Sequence, residues 1–264
     1  MRTATTAWAL GDYDRFAREL FWDIGAELTA ACGAGPGMRV LDVAAGTGNV
    51  ALRAAEAGAD VVASDLTAES LATGELRARE AGLSLDWVVA DAQALPFPDA
   101  SFDVVTSAFG AIFAPDHGAV ARELLRVCRP GGTIAMANFT PDGNAAGFFG
   151  ALLPYAPPQP PGAGNPLAWG DETHVHDLLD PGTSSLRLTR RTYVERRPGG
   201  PAGYAAFVTE TFGPVIAMRE AAEDPAALDR DLLAFATAAN TGAPGGPAEI
   251  PYEYLLVVGE PTAA

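Results

Sequence analysis

Chemistry is concentrated at a few places in this 264-residue chain. The stretch Met38–Ala51, MRVLDVAAGTGNVA, runs a short apolar strand into Ala45-Gly46-Thr47-Gly48 and then directly into a helix. Glycines let backbone approach a ligand closely, and a helix N-terminus offers unpaired N–H groups to it. Gly46 to Ala51 fits G-x-G-x-x-[GA], and Asp65 follows the second strand at the distance of a ribose-binding carboxylate. Asp42 lies four residues before Gly46, beneath the loop, and Asp91 follows the third strand. Three histidines complete the titratable inventory near neutral pH. His117, after Ala114-Pro115-Asp116, starts a helix whose positive end lowers the imidazole pKa, so it reads either as a neutral base or as a solvated first-turn side chain. His174 and His176 are two apart and face different sides of a helix, which argues against a metal pair.

Composition removes other chemistries. All 17 basic residues are arginine, so Schiff-base chemistry, a P-loop lysine and a Tyr–Lys dehydrogenase pair are excluded. A GC-rich bacterial genome accounts for the bias. Asp and Glu number 33, and the net charge of −16 opposes nucleic acid as partner. Cys32 and Cys128 form no metal pattern and read as reduced structural thiols of a cytoplasmic protein. No apolar run reaches the roughly 18 residues of a membrane span, and residues 1–15 lack a leader core.

These residues must be positioned by alternating elements. Apolar strands are expected at 38–43, 61–64, 85–89, 102–107, 133–138, 186–194 and 252–258, with helices at 14–31, 48–57, 68–81, 118–128, 204–217 and 226–239. Short strands alternating with helices imply an α/β fold: a doubly wound, mostly parallel seven-stranded sheet, closing in an antiparallel pair. The chain reads as one domain, with an N-terminal cap helix in 1–35, a ligand-binding core at 36–140, a Pro/Gly-rich lid insertion at 141–182 and C-terminal strands and helices at 183–264. Within the insertion, 148–155 and 172–179 read as short helices, the second capped by Asp171. Arg129-Pro130-Gly131-Gly132 reads as a plain turn.

On the loop alone a dinucleotide and S-adenosylmethionine are both admissible. Asp42 discriminates, because a pyrophosphate is repelled by that charge and an amino group is attracted. Together with Val88–Phe97, Ser101–Ser107 and Glu123–Gly132, the pattern resembles the class I S-adenosylmethionine-dependent methyltransferases, most closely the quinone-biosynthesis C-methyltransferase-like subgroup. The resemblance covers about 36–140, more weakly Trp8–Tyr13 and the closing strand, and implies a Rossmann-like methyltransferase fold. It implies that Asp42, Ala44, Gly46 and Gly48 hold the methionine end of the cofactor and that Asp65 accepts both ribose hydroxyls. Leu66 would then lie on the adenine, Asp91 with Ala92 and Gln93 would read its edge, Ser107 would offer a carbonyl near the sulfonium, and Tyr13 would close over the site. The family often has glycine where Ala44 stands.

Methyl transfer needs the acceptor atom held about 3 Å from the sulfonium methyl, in line with sulfur, and no metal. His117 is the candidate base. Phe109, Phe113, Phe149, Tyr155, Trp169 and His174 are candidates for an apolar acceptor pocket. The expected activity is methylation of a hydrophobic small molecule, a quinone-like or other secondary metabolite, with S-adenosylhomocysteine as product, by a monomer or homodimer. A cyclase or isomerase using the same cofactor without methyl transfer is the alternative, and an NAD(P)-dependent oxidoreductase the third reading.

Overall fold

The computed structural model describes residues 7–263; residues 1–6 of the 1–15 stretch expected to lack a leader core lie outside the described residues. Helix α1 (Tyr13–Cys32) starts where the Asp12 carboxylate accepts the Arg15 N–H at 3.0 Å, and ends at Gly33, whose φ of 67° only glycine adopts freely. Its buried stripe includes Phe16, Ile24 and Leu28. Then come β1 (Arg39–Val43), α2 (Asn49–Glu56), β2 (Asp60–Asp65), α3 (Ala68–Glu80), β3 (Asp86–Val89) and β4 (Phe102–Ala108). After these, α4 (His117–Val127) leads into β5 (Cys128–Phe139).

The seven-stranded sheet has the order β3-β2-β1-β4-β5-β7-β6, where β6 is Thr183–Arg197 and β7 is Ala248–Pro261. Leu41 pairs in parallel with Val62 on one side and Val105 on the other, and all three side chains are buried. Strands buried on both faces are continuous apolar runs, which is why 40–43 and 61–64 do not alternate. The strand order reverses between β1 and β4, the crevice where open α/β sheets bind ligands at their carboxyl ends. The expected doubly wound sheet is therefore present, with an antiparallel β5–β7–β6 end.

Several expected boundaries move. β5 begins at Cys128, which pairs with Phe102, and the register shifts before Val104 meets Thr133. The Arg129–Gly132 run is thus a bulge that absorbs this shift, with Gly131 at φ 69°, rather than a plain turn. The single helix expected over 204–217 is two, α7 (Gly200–Thr211) and α8 (Gly213–Ala221), because Pro214 restarts the helix and Thr211 turns its hydroxyl back to the Phe207 carbonyl at 2.6 Å. In the insertion, α5 spans Asn144–Leu152 and continues as a tight turn to Tyr155, and α6 spans Glu172–Leu179 with Asp171 accepting the His174 N–H at 2.9 Å. α9 (Pro225–Ala239) closes the helical layer.

Candidate active site

The loop after β1 is built from left-handed backbone: Ala44, Gly46 and Gly48 have φ of 54°, 58° and 85°. Gly46 and Gly48 serve different neighbours. A methyl group added to Gly46 would lie 3.1 Å from the Tyr13 ring, whereas one added to Gly48 would lie 2.7 Å from the Trp87 ring. Gly48 thus lets β3 pack against the loop, and Gly46 lies under the Tyr13 ring. Arg77 braces the whole region from α3. Its guanidinium donates to the Thr47 carbonyl at 3.0 Å, to Asn49 Oδ1 at 3.1 Å, and pairs with Asp14 at 3.0 Å. No motif in the sequence singled Arg77 out, because its partners lie 28 or more residues away.

Asp42 sits beneath the loop, almost wholly buried. One carboxylate oxygen accepts the Ala51 N–H in the first turn of α2, the other the Thr106 hydroxyl, both at 3.0 Å. Those bonds favour the ionised form, but burial outweighs them and pushes the pKa up to about 7. At the end of β2, Asp65 accepts the Gly46 N–H and the Thr67 N–H, each at 2.8 Å, and burial raises its pKa also. Leu66 beside it leaves half its surface exposed. Asp91 accepts the Gln93 backbone N–H at 2.9 Å, and Ala92 lies between them. Gln93 in turn accepts the Asp116 N–H at 3.0 Å, tying the end of β3 to the start of α4. The Ser107 hydroxyl accepts the Ala111 N–H at 3.2 Å and holds the turn after β4. The structure therefore brings Tyr13, Asp42, Asp65 and the loop together, and sets Asp91 to Gln93 on the neighbouring strand end.

Beside the loop lies an apolar cavity of about 60 Å³. Tyr13, Phe16 and Phe21 line it from α1, Phe148 and Phe149 from α5, and Phe109 and Phe113 from the segment after β4. Phe109 holds a φ of 56°, a conformation costly for a large side chain, and stacks on Phe139 at 4.2 Å. Trp8 closes the near end, packed on Phe113 at 4.9 Å. Of the expected pocket residues, Phe109, Phe113 and Phe149 line this cavity.

The others do not. Tyr155 donates to Asp231 at 2.6 Å, away from it. Trp169 is fully buried against His117, 5.5 Å between ring centroids, and serves the core. His174 and His117 share a hydrogen bond of 2.9 Å and line a separate open groove beneath Pro160–Gly164. His117 is thus a buried side chain rather than a solvated one, and it does not reach the apolar cavity. Its pKa is lowered as expected, chiefly through burial and then through His174. The cavity lining also holds a group that the strand expected over 186–194 stopped short of. Glu195 is buried there, with Arg197 bonded to it at 2.7 Å. The signal was the alternation Tyr193-x-Glu195-x-Arg197, which continues the inward face of β6.

Residues 40–132 match the family described as Methyltransferase domain. Over 266 aligned residues the chain is 41% identical to the Uncharacterized protein Rv1405c of Mycobacterium tuberculosis, covering 98% of this chain and 94% of that protein. Over 110 residues it is 46% identical to the Demethylmenaquinone methyltransferase of Renibacterium salmoninarum, covering 42% of this chain and 45% of that one. The chain belongs to the class I S-adenosylmethionine-dependent methyltransferases. Over part of its length it is similar to members of their quinone-biosynthesis branch, the resemblance expected from the motifs. The fold of this methyltransferase is shared by the YcgJ protein of Bacillus subtilis, with a TM-score of 0.63 at 18% identity over 92% of this chain and 100% of that one. It is shared too by the [4+2]-cyclase SpnF, with a TM-score of 0.53 at 20% identity over 94% and 82%. Among the described residues no helix is long and apolar enough to cross a membrane.

Proposed function

We propose that the enzyme binds S-adenosylmethionine across the carboxyl ends of β1 to β4 and methylates a hydrophobic small molecule held in the aromatic cavity. The observation that carries this reading is Tyr13. Its ring faces Gly46 on one side and lines the cavity on the other, so loop and cavity are joined through one side chain.

The residues present fit the cofactor. Asp42 is a buried carboxylate with no cation among its bonded partners, so a nearby ammonium would stabilise its ionised form. Gly46 offers space that only a side chain, Tyr13, occupies. Asp65 would exchange the Gly46 N–H for ribose hydroxyls, and the exposed Leu66 would lie on the adenine. Asp91, Ala92 and Gln93 would read the adenine edge. Ala44 and Ser107 would present backbone to the methionine end, and Gly48 shapes the loop. When bound, S-adenosylmethionine supplies a sulfonium-activated methyl carbon and leaves as S-adenosylhomocysteine. Phe109, Phe113 and Phe149 would orient the acceptor and exclude water. His117 and His174 hydrogen-bond each other outside the cavity, so this reading gives them a packing role under 156–165.

A cavity of about 60 Å³ holds a few water molecules, not a ring system. Acceptor entry therefore requires Trp8 and Tyr13, or α5 in the insertion, to move aside as a lid. Similarity to a demethylmenaquinone methyltransferase favours a quinone-like acceptor, and a net charge of −16 weighs against a polyanionic one. The test is incubation with S-adenosylmethionine and a panel of quinols, reading methylated product and S-adenosylhomocysteine together by mass spectrometry. Converted acceptor without S-adenosylhomocysteine would replace methyl transfer by the cyclase or isomerase reading.

A further inference from the structure

Glu195 is a carboxylate in an otherwise aromatic chamber. β6 presents Tyr193, Glu195 and Arg197 inward while Val194 and Arg196 face outward. Across the ladder Tyr193 pairs with Tyr252, and Glu195 with the apolar Ile250. The two carboxylate oxygens differ sharply. Oε1 accepts the Arg197 Nε–H at 2.7 Å, and Arg197 is itself pinned by Glu19 and by the Phe207 ring 3.5 Å from its guanidinium carbon. Oε2 is buried and has no hydrogen-bond partner among the described residues. The side chain is 2% exposed. A buried carboxylate oxygen left unpaired costs free energy in the folded protein, and such a cost persists where a ligand relieves it.

Its place in the cavity is on β6, not on the glycine loop or the strand ends beside it. Tyr13 marks the loop end, whereas Glu195 sits with Tyr204 and Tyr252, whose hydroxyls bond each other at 2.6 Å. Electrostatics sets the chemistry of the missing partner. Arg197 and Arg15 already balance Glu195 and Glu19, so a cationic donor is not required. The aromatic walls reject a polyanion. A neutral hydroxyl on an apolar body fits both conditions, since the ionised carboxylate can only accept.

We propose that Glu195 is the specificity-determining residue of the acceptor site, and that the acceptor is an apolar molecule whose hydroxyl, remote from the methylated atom, donates a hydrogen bond to Oε2. This rests on the reading of the aromatic cavity as the acceptor site. Arg197 positions the carboxylate, and the Tyr204 and Tyr252 hydroxyls bond each other rather than Glu195, leaving Oε2 as the open acceptor. Burial pushes the Glu195 pKa up to about 7, Glu19 adds to this and Arg197 opposes it, while Tyr193, Tyr204 and Tyr252 stay protonated. Acceptor binding therefore strengthens as pH rises through 7.

The test titrates the protein, saturated with S-adenosylhomocysteine, with phenol and with its apolar near-isostere toluene by calorimetry; both are rings and enter by the same opening at Trp8, Tyr13 or α5 that the acceptor requires. The wild type is expected to bind phenol at least about tenfold more tightly than toluene, the range for hydrogen bonds to charged groups. Phenol affinity should rise between pH 6 and pH 8. Glu195→Leu should erase the preference and leave toluene binding unchanged or tighter. Glu195→Gln, nearly isosteric and folded by its thermal melt, should cut the preference and abolish the pH dependence. Equal binding of both probes in the wild type, or a preference surviving in both variants, overturns the role of Glu195 alone. Binding of neither probe overturns the cavity reading as well.

Discussion

Cofactor binding should release a proton from Asp42. Its pKa of about 7 against an ordinary 3.8 reflects burial that the Ala51 N–H and Thr106 hydroxyl do not offset. Three units correspond to about 4 kcal/mol between neutral and ionised forms. The sign follows from linkage. A carboxyl whose folded pKa is raised adds stability that is complete below about pH 4 and lost as pH climbs through 7. The cofactor-free protein should thus lose stability between those values through this residue. An ammonium facing Asp42 returns the ionised form, so binding releases about 0.9 proton at pH 6, about 0.5 at pH 7 and about 0.1 at pH 8. Calorimetry in two buffers of different ionisation enthalpy measures this directly. Asp65 is also shifted upward, so Asp42→Asn is the control that isolates Asp42. That variant should keep the fold, lose most of the release at pH 6 and bind about 10- to 100-fold more weakly. Equal release by wild type and Asp42→Asn would refute the placement of the ammonium.

Gly48→Ala should lower stability by about 1–3 kcal/mol, read as a drop in Tm, because its Cβ meets Trp87 at 2.7 Å in a left-handed backbone. Gly46→Ala meets only the Tyr13 ring, so its larger effect should be on cofactor Kd than on Tm. Trp169→Ala should cost about 3–5 kcal/mol in denaturant unfolding without changing the ranking of acceptors, because Trp169 is core and not cavity lining. His117→Gln should retain kcat within a few fold on the accepted substrate; a loss of several orders of magnitude would restore it as the base.

The β1 to β4 half of the fold was legible because Asp42, Asp65 and Asp91 stand in or just after the carboxyl ends of β1, β2 and β3, and helices start within a few residues of β1 and β2, a local pattern. Asp42, Gly46, Asp65 and Asp91 stand at those ends, so sequence order already fixes their neighbourhood. The aromatic cavity is assembled largely from α1, α5, β6, β7 and α7, whose meeting no local pattern encodes. Phe149 and Trp169 look alike as aromatics of one insertion, yet the chain turns one into the cavity and the other under His117. Glu195 was missed because charged residues at alternate positions normally mark an exposed strand face, and here Arg197 allows the carboxylate to be buried. The helix break at Phe212 was hidden by an apolar periodicity that continues through Gly213-Pro214.

A crystal structure of the ternary complex with S-adenosylhomocysteine and a turned-over acceptor tests the central claim most directly. The sulfur is predicted beside Gly46, with the acceptor between Phe109 and Phe149 and its reacting atom in line with the former methyl position. An acceptor seated instead in the His117–His174 groove, or a cofactor away from the Gly46 loop, would contradict it.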